Sequence, residues 1–353
     1  MNIDQAEVGV ARGFRRLSVM AAMVLLAAAR MVAAATPHYE VVERWKIGGA
    51  GGWDYVTIDS VRHRLFITRG DHADVVDTTS GKVIGSIPGG GGAHGVALAP
   101  DLNRGFISNG AGNSVTEFDY TTLAALRTVG VKGENPDAIL YDATTRRVLT
   151  FNGKSHDVTV LDAVKMEIIA KIAVPGKPEF VRADGHGKVF ANIETDPGQL
   201  VLIDIAAARV DAVWKLEGCD SPSGLAFDRA HSRLFSVCDD KVMAVTDAVT
   251  GKLVEHVPIG EGPDAAEYDD SRAIAFSSNG QDGTLTVAQQ VDPNKYLVRQ
   301  TVATQRGART MALDPANDRI YLVTAEFEPV PAGSKARPVM IPDTFTVIVV
   351  APH

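Results

Sequence analysis

Seven residues recur at a nearly even pitch along the sequence: Asp54, His94, Asp137, Glu179, Ser223, Asp264 and Arg309, spaced 40, 43, 42, 44, 41 and 45 residues apart. Four of them are carboxylates. Gathered in one place, four carboxylates repel one another, which raises some of their pKa values or calls in a cation. The histidine adds a group that exchanges a proton near neutral pH, and the arginine adds an anchor for an anion. Two chemistries are open. In one, a single hard divalent cation, calcium or magnesium, takes oxygen ligands from Asp137, Glu179, Asp264, Asn152 and Asn192. His94 then moves the proton and Arg309 holds the substrate anion. In the other, Arg309 and water neutralise the ring, and the set binds a polar ligand or is structural only. Trp53, Asp54, His72, Asn109, His156, Asn279 and Glu326 complete the candidate ligand-binding set, with ordinary rim packing the competing role for Trp53.

Such a pitch requires a repeating element that returns each residue to the same place. Near each of the seven lies a short apolar segment alternating with period two, as in Val56-Thr57-Ile58-Asp59, Ile139-Leu140-Tyr141-Asp142 and Met311-Ala312-Leu313-Asp314. A turn follows, where the closing aspartate can accept backbone N–H bonds, and then a second strand such as Arg64–Thr68 or Arg233–Cys238. A third and a fourth strand complete each unit. Asp77–Lys82 and Asp247–Lys252 supply the tight turns between them, with Gly81 and Gly251 free to take positive φ. Four strands at a pitch near 40 residues predict an all-β, seven-bladed β-propeller, with units starting near 51, 92, 134, 176, 219, 261 and 306. Only six fourth strands follow their third strands. Residues 39–47 are expected to supply the seventh by pairing with 344–350, so that no sheet edge is left open between the last blade and the first.

Propeller topology places the loops entering first strands and those joining strands two and three on one face. All the candidate residues above fall there, around the mouth of the central channel. His63, His186 and His231 fall in turns on the opposite face, and His72 and His156 lie to the side, leaving His94 as the histidine at the channel. Gly89–Gly92 precedes a strand and lacks the Lys-Ser/Thr of a phosphate-binding loop. Ser223 lies on no strand-to-helix turn and is not a nucleophile elbow.

Arg12, Arg15 and Arg16 precede an apolar run, Leu17–Ala29, and then Ala33-Ala34-Ala35. The pattern predicts a secretory signal peptide over residues 1–35, hence a periplasmic or secreted chain with no membrane span after cleavage. Without those residues the formal charge moves from −8 to about −10, as four arginines and two acids are removed. No lysine- and arginine-rich stripe interleaved with aromatics is present, so nucleic acid is not an expected partner. Cys219 and Cys238 lie at neighbouring ends of one predicted hairpin, either as a disulfide or as two partly buried thiols.

The stretch Arg64–Gly90 (RLFITRGDHADVVDTTSGKVIGSIPGG) resembles the repeat of the YVTN β-propeller family, the YncE-like proteins. Arg233–Gly260 carries the same wording, and Arg104–Gly130 and Arg147–Gly176 carry it more loosely. The resemblance covers residues 39–350 and implies a seven-bladed propeller of a kind usually exported in bacteria. Two departures stand out. Gln289-Gln290 replaces the turn aspartate of the sixth repeat, and residues 325–343 form an insertion whose Ala325–Pro342 stretch holds four prolines with Lys335 and Arg337, either a lid or a partner-docking loop. Two functions remain open. One is a monomeric binding or interaction module offering its mouth to a small polar ligand or a protein. The other is a metal-dependent lactonase- or lyase-like enzyme.

Overall fold

A computed structural model of the protein describes residues 37–329 and 339–353. The expected leader, residues 1–35, lies outside the described residues, as do Lys335 and Arg337. Seven four-stranded antiparallel sheets follow one another around a ring, and no α-helix occurs among the described residues. In the first blade, Val56–Asp59, Arg64–Arg69, His72–Asp77 and Lys82–Pro88 run from the channel outward. In the last, Met311–Asp314, Arg319–Thr324 and Thr346–Pro352 are joined by Tyr39–Lys46 as the outermost strand. The closing pair is antiparallel from Tyr39↔Pro352 to Lys46↔Thr346, with an irregularity between Val41 and Glu43. Two hydrogen bonds tie that strand to the sixth blade as well: Tyr39 N–H to Gln300 Oε1 at 2.8 Å, and Gln300 Nε2–H to the Tyr39 carbonyl at 2.7 Å.

Burial follows the sequence pattern. Second strands lie between two neighbouring sheets and bury both faces, so Phe66, Phe106, Phe151, Phe235, Phe276 and Tyr321 are all inaccessible. Outer strands alternate, as along Arg209–Lys215, because one face meets water. The recurring aspartates have local work. Asp77 Oδ1 accepts the Ser80 N–H at 2.7 Å, and Asp142 Oδ2 accepts that of Thr145 at 2.7 Å. A further device recurs between blades. The indoles of Trp45 and Trp214 lie flat against Gly81 and Gly251, where any Cβ would come within 2.7 and 2.3 Å of ring atoms. Both glycines also have φ near 70°, so no other residue fits there without strain.

The sixth blade departs from expectation. Its third strand runs Thr284–Asp292, straight through Gln289 and Gln290, and the turn moves out to Pro293-Asn294. Gln290, 8 % exposed, explains the longer hairpin: its amide donates to Asp228 Oδ2 and to the Tyr296 hydroxyl, both at 2.9 Å, and its Oε1 accepts from the Tyr268 hydroxyl. At the described ends of the insertion, Phe327 and Met340 form an isolated antiparallel bridge. Cys219 and Cys238 form a disulfide with Cα atoms 5.3 Å apart, and no free thiol remains.

Candidate functional site

The channel-mouth side chains are placed by hydroxyls from neighbouring blades. Thr68 Oγ1–H donates to the His94 carbonyl at 2.6 Å and Ser108 Oγ–H to the Asp137 carbonyl at 2.5 Å. Ser278 does the same for Arg309, and Thr310 for Asp54 at 2.9 Å. Four of the seven entrance positions are therefore pinned at the backbone of the residue whose side chain enters the mouth. Close packing aids this at Gly110, where a Cβ would stand 2.4 Å from His94 Nε2.

Asp54, Asp137, Glu179, Ser223, Asp264 and Arg309 line a cavity of about 300 Å³ together with Tyr55, Lys177, Phe180, Glu194 and Thr310, and His94 stands beside it against Asp54. His94 Nδ1 lies 2.5 Å from Asp54 Oδ2 and 3.7 Å from Asp137 Oδ1. Arg309 Nε donates to Asp264 Oδ2 at 2.6 Å, and its Nη2 lies 3.5 Å from Asp54 Oδ1. On the far wall Lys177 Nζ is held between Glu179 and Glu194. Tyr55 and Phe180 meet with ring centroids 4.9 Å apart.

The electrostatics follow from this crowding. Burial, reinforced by the charge of Asp54, pushes Asp137 up to about 6. Burial likewise raises Asp264 to about 6, with Asp54 adding to the rise and Arg309 opposing it. Glu179 is held well above the usual carboxylate range by burial and by Asp137, against the pull of Lys177. Burial alone would lower His94, but the Asp54 hydrogen bond and the Asp137 charge outweigh it, so the imidazole stays protonated to higher pH than usual.

Several sequence candidates fall elsewhere. Asn109, Asn152, Asn192 and Asn279 are fully buried and their amides are already engaged. Asn109 Nδ2 donates to Ser114 and Thr116, Asn152 to Asp157 and Thr159, and Asn279 to Thr284 and Thr286. Asn192 donates to the Ser223 and Gly224 carbonyls and accepts from Ser236. These amides lock the loop between strands two and three or the neighbouring strand, and none offers an oxygen to the cavity. His72 pairs with Asp71 at 2.6 Å and Asp74 at 3.3 Å, away from the cavity, and His156 is an exposed turn residue with φ of 52°. Trp53 packs on Phe345 and Phe327, with centroids 5.3 and 5.9 Å away, which is rim packing rather than the floor of a pocket. Glu326 is exposed at the base of the insertion.

The expected cation set is also regrouped. Asp264 is taken by Arg309 and Glu179 by Lys177, whereas the donor atoms that converge, all within 4.8 Å of one another, belong to Asp54, His94 and Asp137. Sequence reasoning missed Lys177, Tyr55, Phe180 and Thr310. Tyr55, Phe180 and Thr310 adjoin a periodic position and Lys177 lies two residues from one, and only the exact course of the inner strand shows which neighbour faces the channel.

Fold and site together define a seven-bladed β-propeller with a polar channel mouth of mixed charge. No family model matches the chain, and no curated protein matches it. Solved structures do. A chain of the Kuenenia stuttgartiensis hydrazine synthase superposes with a TM-score of 0.67 at 17% identity, over 77% of this chain and 92% of that one. The WD40 repeats of RRP9 give 0.73 at 10% identity over 89% and 99%. A chain of the mitotic checkpoint complex gives 0.73 at 10% over 100% and 99%. At these identities the likeness is one of fold. No helix among the described residues is long and apolar enough to cross a membrane.

Proposed function

We propose that this chain is an exported propeller of the YVTN kind whose channel mouth binds a small polar ligand through that ligand's positively charged group. The carrying observation is the charge balance of the cavity wall. Asp54, Asp137, Glu179, Glu194 and Asp264 are five carboxylates facing only two fixed cations, Lys177 and Arg309. Burial chiefly raises Asp137 and Asp264, the charge of Asp54 adds to both rises, and an arriving positive charge favours their ionised forms. A cavity of about 300 Å³ suits a small molecule, and the Tyr55–Phe180 pair offers it an aromatic wall. The basic-then-apolar leader pattern supports export, as does a disulfide, which persists in oxidising compartments. The alternative, a metal-dependent lactonase- or lyase-like enzyme, draws on the convergence of Asp54, His94 and Asp137.

A thermal-shift screen of small organic cations, zwitterions and anions, run in chelator, tests the binding reading. Cationic or zwitterionic compounds should raise the melting temperature of the native protein and lose that effect in Asp54→Asn/Asp137→Asn. Stabilisation by anions alone, or equal shifts in both proteins, would overturn it.

A further inference from the structure

We propose that Asp54, His94 and Asp137 form a binding site for one first-row transition-metal ion, of which zinc is the representative. The site rests on the reading of the mouth as a ligand-binding surface, and it deepens that reading by naming a second, inorganic ligand.

Three observations carry it. The first is convergence, since one donor atom from each residue lies within 4.8 Å of the other two. The second is an unmet acceptor. Asp137 is only 8 % exposed, and among the described residues its carboxylate accepts no hydrogen bond; its one ion pair there is the long contact to His94 Nδ1, 3.7 Å away. A buried carboxylate held by one long contact is costly, and one of its oxygens converges with one of Asp54 and a ring nitrogen of His94. The third is spacing. Zinc binds nitrogen and oxygen at about 2.0–2.2 Å, so a tetrahedral ion keeps its donors roughly 3.3–3.5 Å apart. The present separations from His94 Nδ1, 2.5 Å to Asp54 and 3.7 Å to Asp137, straddle that value. A shift of under about 1 Å in one rotamer, with loss of the Asp54–His94 hydrogen bond, admits the ion.

The donor set selects the metal. Calcium and magnesium favour six or more oxygen ligands, whereas two carboxylates with an imidazole nitrogen suit zinc and its neighbours. Arg309 Nη2 lies near the other oxygen of Asp54, at 3.5 Å from Oδ1, and leaves Oδ2 to the ion. Three protein ligands beside an open cavity leave the fourth position to water or to a ligand, as in exchangeable zinc sites. The Nδ1 position is preserved by Gly110, which gives room to the other side of the ring.

Isothermal titration of chelator-stripped protein with zinc chloride tests the site. One ion per chain is expected, with at least tenfold weaker binding in His94→Gln and in Asp137→Asn. His72→Gln is the control, because His72 with Asp71 and Asp74 is the other place where a histidine meets two carboxylates, and it should bind as the native protein does. A tenfold excess of magnesium or calcium should not compete. If a variant fails to fold, anomalous scattering at the zinc edge from crystals of the native protein decides: a peak within bonding distance of His94 Nδ1 supports the site. No zinc uptake, uptake lost only in His72→Gln, or a peak elsewhere would overturn it. Because the organic-ligand screen is run in chelator, failure here leaves its outcome independent.

Discussion

His94 of the second blade reaches back to the first and places Nδ1 2.5 Å from Asp54 Oδ2, while its own backbone carbonyl is held at 2.6 Å by Thr68 of that same first blade. The two contacts hold His94 at its backbone and at its ring. A propeller thereby converts a repeat in sequence into a ring of side chains, and at Asp54, His94, Asp137 and Arg309 a hydroxyl of the blade before helps set where the residue sits.

Gly110 is the test of this placement nearest the ring. Its φ is not in the left-handed region, so Gly110→Ala is tolerated by the backbone, yet the new Cβ would meet His94 Nε2 at 2.4 Å. The imidazole must turn away from Asp54. We expect a melting temperature within a few degrees of native and roughly tenfold weaker binding of a mouth ligand, about 1.4 kcal/mol. Unchanged affinity would show that His94 is not part of the site.

Asp264 gives the mouth a pH dependence. Its folded value is about 6 against an ordinary 3.8, so between those pH values the folded chain retains a proton that the unfolded chain has lost. Stability from this group is therefore greatest in acid and falls as pH rises through 4 to 6. Because the carboxyl is partly open to water, the loss is about 1–2 kcal/mol. Urea unfolding in chelator at pH 4.5 and 7 should show it, and Asp264→Asn should flatten the slope. Equal slopes in both proteins would contradict it.

Much of this was legible from the residues alone, for a physical reason. Seven entrance positions stand out because a ring imposes one period, and that period exposes Asp54, His94, Asp137 and Arg309 together. The asparagines misled because strand ends at a channel face look like ligands. In hindsight Asn109, Asn152 and Asn279 are each followed by a hydroxyl or carboxylate five residues on and by threonine seven residues on, which is the partner spacing of a locked loop. Lys177 was hidden because the inner strand of the fourth blade pairs from Lys177 and shifts register between Pro178 and Val181, so that strand brings both Lys177 and Glu179 to the cavity. The longer sixth hairpin depends on Gln290 finding Asp228 of another blade, a contact sixty-two residues away that no local pattern carries.

Closure of the ring depends on Trp45. It stands 8 % exposed in the outermost strand of the last blade, tilted against Tyr321 with centroids 5.6 Å apart and seated on Gly81 of the first blade. Trp45→Ala should cost about 3–5 kcal/mol, the usual price of emptying a large aromatic site. Chemical denaturation checks this, and a loss below about 1 kcal/mol would mean that the closing strand is dispensable.

The Cys219–Cys238 bridge closes a short loop at the mouth face, with a sequence separation of 19 residues. Chain-entropy arguments give such a loop about 3 kcal/mol. Reduction, or the paired change to alanine, should lower stability by that order without altering the mouth, because neither sulfur lines the cavity. A reduced protein that unfolds at the same denaturant concentration as the native one would refute this.

The central claim is that the gathered side chains at the channel mouth are a binding site. A difference electron-density map from crystals soaked with the strongest cationic compound of the thermal-shift screen tests it most directly. The account predicts density inside the cavity, with the positive group of the compound against Asp54 or Asp137 and its body against Tyr55 and Phe180. Density confined to another surface, with the mouth unchanged, would contradict it.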